Sequence, residues 1–336
     1  METYVWDVRN YVHDLSTYPQ IAEIIAGFKE DELIAIPTET VYGLAANAKS
    51  AAAVSKVYVA KGRPSDNPLI VHIYSQKQMD FIENIHPAAQ QLMDYFWPGP
   101  ISFILPLKKD SLAEQVTAGK ETVAVRMPED KTALQLLEIV GLPLAAPSAN
   151  LSGRPSPTNY EHVYEDLNGR IHGIVRGDDS HIGIESTVLD CSSYPFRIAR
   201  PGAITASMLE EVVAGCMTEA DYTSDDAPIA PGMKYRHYAP NSPIQLVDGG
   251  ISSSLQVDRH TAVVGPESIR FLVTGGTFYP LCQDEQDIKG ASANLYDVLR
   301  AIDHNKEITE IILSGFKRDE ASQALMNRID KASAGK

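Results

Sequence analysis

The sequence predicts an α/β protein: a sheet of mixed direction covered by helices, followed by a smaller α/β domain. Three observations predict it. Helical and strand-like periodicities alternate through the first 200 of the 336 residues. Some of the strands are apolar throughout while others alternate, as buried parallel and half-exposed antiparallel strands do. Composition shifts to acidic and polar near residue 215, and the alternation restarts beyond Pro240.

The elements follow in order. Ile21, Ile24, Ile25 and Phe28 recur at helical spacing within a helix over 19–31, and Leu33–Ile36 is a short buried strand stopped by Pro37. Residues 51–61 form a helix with Ala52, Val54, Val57 and Tyr58 available for packing, and 69–73 form a strand. A helix over 87–96 ends at Trp97-Pro98-Gly99-Pro100, and 101–107 is again a strand. Residues 122–127 alternate: Val123, Val125 and Met127 face one way, while Thr122, Ala124 and Arg126 face the other and suit a cavity wall. A helix over 132–140 and strands at 143–146 and 187–190 complete the first part. Glu219–Pro228 reads as a linker; beyond it, strands at 244–247, 261–264, 269–273 and 310–313 and helices at 293–303 and 321–329 make a Rossmann-like ending.

A chain with 44% hydrophobic residues can bury a sizeable core in two domains. Its net charge of -15 argues against a broad electrostatic grip on nucleic acid but leaves room for a small basic pocket: Lys49, Lys56, Lys61 and Arg63 fall within 15 residues. The three cysteines form no paired spacing, which fits a reducing cytosol. The N-terminus lacks the basic and apolar regions of a signal peptide, and no apolar run approaches the length that spans a bilayer.

Five segments carry the chemistry: Pro37–Leu44, Lys61–Pro68, Arg126–Pro128, Pro147–Pro155 and Pro231–Pro240. Each sets Lys, Arg, Ser, Thr or Asn among Gly and Pro, so each reads as a shaped loop rather than a core element, offering donors and charge to an anion such as a nucleotide. Each also has a plainer reading. Thr38 and Thr40 suit turn capping, Lys61 suits a helix C-terminus, His72 suits a hydrogen-bonded core position, and Arg126 suits a buried pair with a carboxylate. The basic and aromatic run Lys234–Tyr238 suits a stiff inter-domain strap. No Walker loop, dinucleotide fingerprint, HExxH or GxSxG sequence is present.

Taken together and in this order, the segments resemble the YrdC-like family of threonylcarbamoyl-AMP synthases in its long two-domain form. The resemblance spans almost the whole chain, and Pro231–Pro240 distinguishes the long form from the single-domain one. It implies a YrdC-like twisted mixed sheet with a concave basic cavity over 14–205, a linker reaching the active site over 206–242, and a Rossmann-like domain over 243–336. It implies a cytoplasmic nucleotidyltransferase that condenses L-threonine, bicarbonate and ATP, with Mg2+, into threonylcarbamoyl-AMP and pyrophosphate. A tRNA threonylcarbamoyl transferase complex would consume the product, so tRNA would be met only indirectly and a membrane not at all. By motif position, Thr40, His72, Arg126, Ala146 (through its backbone) and Ser186 would contact threonine. Arg63, Asn67, Thr122, Ser148, Ser156, Arg200, Tyr235 and His237 would contact ATP, with Lys61 and Arg63 supplying catalytic charge and no protein-held metal. The chain departs from the family's usual Gly at Ala46, His near Glu129-Asp130 and Gly-rich approach at Ala321–Ala324. An RNA-binding module and a hydrogenase-maturation carbamoyltransferase are the rival readings; the charge weighs against the first and the missing zinc-finger cysteines against the second.

Overall fold

Ten strands in one sheet organise the first part of the chain. The computed structural model describes residues 2–218 and 237–334. In chain order the elements are β1 (Tyr4–Asp7), α1 (Ile21–Lys29), β2 (Ile34–Ile36), β3 (Gly43–Asn47), α2 (Ala51–Lys61), β4 (Ile70–His72), α3 (Pro87–Phe96), β5 (Ile101–Pro106), α4 (Glu114–Thr117), β6 (Thr122–Arg126) and α5 (Lys131–Val140). They continue with β7 (Leu144–Ala145), α6 (Tyr160–Leu167), β8 (Gly173–Arg176), β9 (Thr187–Asp190), β10 (Arg197–Arg200) and α7 (Ala206–Val212). The strand order is β1-β8-β2-β3-β7-β4-β6-β5-β9-β10. Pairs β4/β6 and β5/β9 are parallel, while β2/β3, β5/β6 and β9/β10 are antiparallel, so the sheet is mixed.

Register sorts the side chains onto two faces. His72 lies beside Arg126, and Arg126 beside Ser102, across three neighbouring strands. On one face Val71, Val123, Val125, Phe103 and Leu189 join Val54, Val57 and Tyr58 of α2 and Leu92 and Met93 of α3 in one buried cluster. Burial of that many branched and aromatic side chains, at about 1.5–3 kcal/mol each, fixes which way the sheet faces. On the opposite face the β1-β8-β2-β3-β7 half is covered by α1 and α5 through a second cluster that includes Ile34, Ala45, Leu144 and Val175 with Ile24, Phe28, Leu136 and Leu137, whereas the half from β4 to β10 carries a five-residue apolar patch of Ile70, Ile104, Ala124, Val188 and Ala199. Polar positions border that patch on the same face: Thr122, Arg126, His72 and Ser102.

Local signals set the helix ends near the site. The Ser50 hydroxyl accepts from Ala53 N at 3.2 Å to open α2, and Gly62, at φ 60°, closes it in the left-handed conformation that glycine adopts freely.

The second part adds β11 (Ile244–Val247), β12 (Leu255–Gln256), β13 (Thr261–Gly265), β14 (Val273–Thr274), β15 (Thr277–Pro280), α8 (Ile288–His304), β16 (Glu310–Ser314) and α9 (Gln323–Ser333). Its main sheet, β11-β16-β13-β15, is parallel throughout. Among the described residues the chain divides into two compact units. One comprises 2–152, 157–180 and 185–218; the other comprises 153–156, 181–184 and 237–334. No helix among the described residues is long and apolar enough to cross a membrane.

Three sequence expectations are corrected. Residues 269–272 are not strand: Glu267–Leu272 is a 3-10 helix, opened by Pro266 and carrying an Arg270–Glu267 ion pair at 2.6 Å, with Ile269 and Leu272 turned into an apolar cluster, and only Val273 of the expected strand is extended, at the start of β14. Gly43 and Leu44, expected in a loop, belong to β3, because the glycine sits at a strand start where its missing side chain admits Ala146. Ala52 is exposed and Ala53 takes its place in the core, one position around the helix.

Candidate functional site

Two loop motifs separated by about a hundred residues lie side by side. Leu44 N donates to Pro147 O at 2.7 Å, and Ala149 N donates to Tyr42 O at 2.8 Å, extending the β3/β7 ladder into both loops. Lys61, at the end of α2, is buried and donates from Nζ to Ser148 O and Asn150 O, each at 2.5 Å. Three motifs thus meet at Ser148–Asn150.

A fourth joins through Arg126. Its Nη1 donates to the Thr40 hydroxyl at 2.8 Å, its Nη2 to Glu39 Oε1 at 2.5 Å and its Nε to Gly99 O at 3.3 Å. Arg126 and Glu39 are both buried, so the pair is desolvated and holds only because charge and hydrogen bonds compensate. The plainer sequence reading of Arg126, a carboxylate-paired buried arginine, therefore holds, and the same guanidinium also reaches Thr40. Glu39 Oε2 is buried and has no hydrogen-bond partner among the described residues.

From Arg126 the polar row crosses the sheet. His72 lies beside it on β4, buried, with Nδ1 3.3 Å from Ile70 O. Burial, reinforced by the adjacent Arg126 charge, pushes the His72 imidazole down to about 3. The ring is neutral at physiological pH, and in the tautomer that donates Nδ1–H to Ile70 O its Nε2 is an acceptor. On the other side Ser102 of β5 shares a 2.9 Å hydrogen bond with the Ser186 hydroxyl. Arg200, buried on β10, donates to Ser186 O from Nε at 3.1 Å and from Nη2 at 3.0 Å. Gly202 permits this close return: a Cβ there would stand 2.2 Å from Thr187 N.

The structure thus brings Thr40, Arg126, His72, Ser186 and Arg200 into one row, joined by hydrogen bonds from Arg126 to Thr40 and among Ser102, Ser186 and Arg200, and links Lys61 with Ser148 separately. Ala146 N donates to Ile70 O at 2.9 Å, which seats its backbone beside the apolar patch. Thr122 stands half-buried on the Arg126 face, four residues away and roughly 13 Å along the strand. Arg63 and Asn67 are joined in the loop after α2, where Arg63 Nη2 donates to Asn67 O at 3.4 Å and Pro68 O at 3.1 Å. Both amide atoms of the Asn67 side chain are buried without a partner among the described residues. A buried amide in that state calls for a ligand or water to satisfy it. Ser156 and His237 belong to the second unit, and Tyr235 lies outside the described residues.

The sequence reading did not assign Glu39, Ser102 or Asn150. Ser102 carried a usable signal, as the polar residue among Ile101, Phe103 and Ile104, on the Arg126 side of the alternation. Among the described residues no group of three or more His, Cys, Asp or Glu side chains is placed to hold a metal ion.

Comparison with known proteins places the whole chain. The family described as Telomere recombination matches residues 27–202, and that described as Threonylcarbamoyl-AMP synthase, C-terminal domain, matches residues 204–334. The chain is 45% identical to the threonylcarbamoyl-AMP synthase of Bacillus subtilis, over 100% of this chain and 99% of the relative. It is 41% identical to that of Pyrococcus abyssi, over 92% of this chain and 93% of the relative. The crystal structure of P. abyssi Sua5 complexed with L-threonine matches at a TM-score of 0.85 and 34% identity, covering 98% of each chain. E. coli YciO, 19% identical with a TM-score of 0.51 over 60% of this chain and 95% of that one, shares the fold of the first part.

Proposed function

The chain belongs to the threonylcarbamoyl-AMP synthase family, and from that premise we propose how its residues share the reaction. L-threonine, bicarbonate and ATP are condensed into threonylcarbamoyl-AMP with release of pyrophosphate. The threonine nitrogen attacks the carbon of bicarbonate or carbon dioxide, forming a carbamate with loss of water or a proton. A carbamate oxygen then attacks the α-phosphorus, and the bond to pyrophosphate breaks. Both partners in the second step are anions. The protein's task is to hold them together against repulsion, which positioning and fixed positive charge accomplish without a covalent intermediate.

The observation that carries this reading is the buried row Thr40–Arg126–His72–Ser102–Ser186, closed by Arg200. Arg126 with Glu39 is a net-neutral pair, which suits an amino acid whose ammonium and carboxylate also sum to zero. Arg126 would take the carboxylate, Thr40 and Ser186 would orient the amino acid, and the neutral His72 would accept from its hydroxyl or amine. Ala146 would contribute backbone. Arg63, Asn67, Thr122, Ser148, Ser156, Arg200, Tyr235 and His237 would contact ATP. Lys61 would act through the Ser148–Asn150 backbone that it binds. Mg2+ would come with the nucleotide, held by phosphate oxygens and water as Mg2+ commonly is, and would neutralise phosphate charge there. We take 14–205 as the catalytic domain, 206–242 as the linker and 243–336 as the C-terminal domain. We place the protein in the cytoplasm, with a tRNA threonylcarbamoyl transferase complex as consumer of the product.

The test is pyrophosphate release from ATP by the purified protein in bicarbonate buffer, with and without L-threonine. Release that requires both threonine and bicarbonate and yields an AMP-linked product supports the reading. Release indifferent to threonine points to another acceptor and overturns it.

A further inference from the structure

We infer that Arg300 is a positioning residue for the proposed nucleotide contact at Ser156, acting by holding the Pro155–Ser156 peptide group. The inference rests on the placement of Ser156 at ATP proposed above and adds a residue of the C-terminal helix α8 to the machinery of that reaction.

The loop Gly153-Arg154-Pro155-Ser156 belongs to the same compact unit as α8, although residues 152 and 157 on either side belong to the other. Its sequence gives it little to hold itself with. Pro155 and Pro157 have no N–H, so the loop cannot build a ladder of its own. Two of its carbonyls are satisfied from outside: Gly153 O accepts from Ala239 N at 2.9 Å, and Pro155 O accepts from Arg300 Nη2 at 2.6 Å.

Arg300 is fully buried. A buried guanidinium is costly, and an apolar side chain of similar volume commonly serves stability as well or better. Packing alone therefore does not account for an arginine here. The guanidinium supplies a directed, charge-assisted hydrogen bond to the Pro155 carbonyl. Because a peptide group is planar, fixing Pro155 C=O also fixes the direction of the Ser156 N–H and the start of its side chain.

The helix that carries Arg300 is anchored for this purpose. Ser292, Tyr296, Arg300 and Asp303 recur at helical spacing and are all buried, so they form one stripe of α8. Tyr238 stacks on Tyr296 with ring centroids 5.4 Å apart, and the Arg328 guanidinium lies 5.7 Å from the Tyr238 centroid. Asp303 Oδ1 accepts from Asn241 N at 2.8 Å. Gly183 packs so closely that a Cβ would stand 2.4 Å from Ala293 Cα. Contacts above and below Arg300 thus fix the helix from which it reaches the loop.

The test uses the full-length protein with Arg300→Met and Arg300→Lys. Steady-state pyrophosphate release gives KM for ATP and for threonine, and hydrogen exchange reads the Ser156 amide. That amide is the only exchangeable backbone group between Arg154 and Thr158, so a peptide-level measurement isolates it. Arg300→Met is expected to speed exchange at Ser156 and raise KM for ATP about tenfold or more, the scale of one charge-assisted hydrogen bond, with KM for threonine within about twofold. Arg300→Lys, which keeps the buried charge, is expected to fall between, and carries the test if the Met variant does not fold. Unchanged exchange at Ser156 overturns the proposal. So does an equal rise in both KM values, since that is what general loosening of the fold produces. Faster exchange with unchanged KM for ATP overturns it as well, by removing Ser156 from the nucleotide site. Wild-type protein that releases pyrophosphate without threonine breaks the synthase reading instead, and the exchange result then still decides whether Arg300 holds the loop.

Discussion

Replacing His72 by Gln tests whether burial keeps the imidazole neutral. In the folded protein the ring is pushed down to about 3 by burial and the Arg126 charge, whereas in an unfolded chain a histidine titrates near ~6.5. The folded value is the lower one, so the neutral ring favours folding above the unfolded value. As pH falls below ~6.5 the unfolded chain takes up a proton that the folded protein refuses, and stability declines by up to about 1.4 kcal/mol per pH unit until pH nears 3. Between pH 7 and pH 5 the loss integrates to about 2 kcal/mol for this group. Carboxylates contribute their own slope at the low end, so the informative quantity is wild type minus His72→Gln. Urea unfolding at half-unit steps from pH 7 to pH 5, at constant ionic strength, is expected to show wild type losing about 2 kcal/mol more than the variant. Parallel stability curves would refute the reasoning, and so would an NMR titration of the His72 ring with a midpoint above pH 5.

Three further outcomes follow from the same geometry. Lys61→Met leaves the buried Asn150 O and the partly buried Ser148 O without this donor; a stability loss of about 1–4 kcal/mol is expected by chemical denaturation, and loss of turnover at unchanged stability would show that Lys61 does not hold the loop. Glu39→Ala strands a buried Arg126 and is expected to cost about 3–5 kcal/mol, while the double variant Glu39→Leu/Arg126→Met costs less; an additive double variant would mean the pair does not interact. Arg63→Ala is expected to lower turnover by about 10²–10³ with the fold intact by circular dichroism, and unchanged turnover would remove Arg63 from the site.

The fold was legible where periodicity was strong. Residues 51–61 and 187–190 have in the structure the bounds that the pattern predicts, because a polar cap, a closing glycine or an uninterrupted apolar run marks each end. The alternation over 122–126 foretold the two faces of the sheet correctly, since a period of two cannot be satisfied with Arg126 on the packed side. Legibility failed for short elements. β1 and β8 are four residues each and pair with one another across the length of the domain, so no local pattern announces them. Residues 269–273 are β-branched and apolar enough to read as a strand, yet Glu267–Leu272 is a tight helical turn opened by Pro266, and only Val273 is extended.

The candidate site was legible as residue types but not as partners. Lys61, Arg63, Arg126 and Arg200 look alike in the sequence, as cations among turn-forming residues. In the structure, Lys61, Arg63 and Arg200 each donate to main-chain carbonyls, of Ser148 and Asn150, of Asn67 and Pro68, and of Ser186. Through these bonds each cation shapes the loop whose carbonyls it holds. Arg126 instead meets Glu39, and that bond neutralises it. Glu39 could be named as the partner of Arg126 only once the strand register had put Arg126 beside His72 and Ser102 and the hydrogen bond to Thr40 had brought the two segments together. A one-dimensional pattern names which groups can cancel charge. Which of them is already cancelled depends on contacts between residues 39 and 126, and those exist only after the sheet has formed.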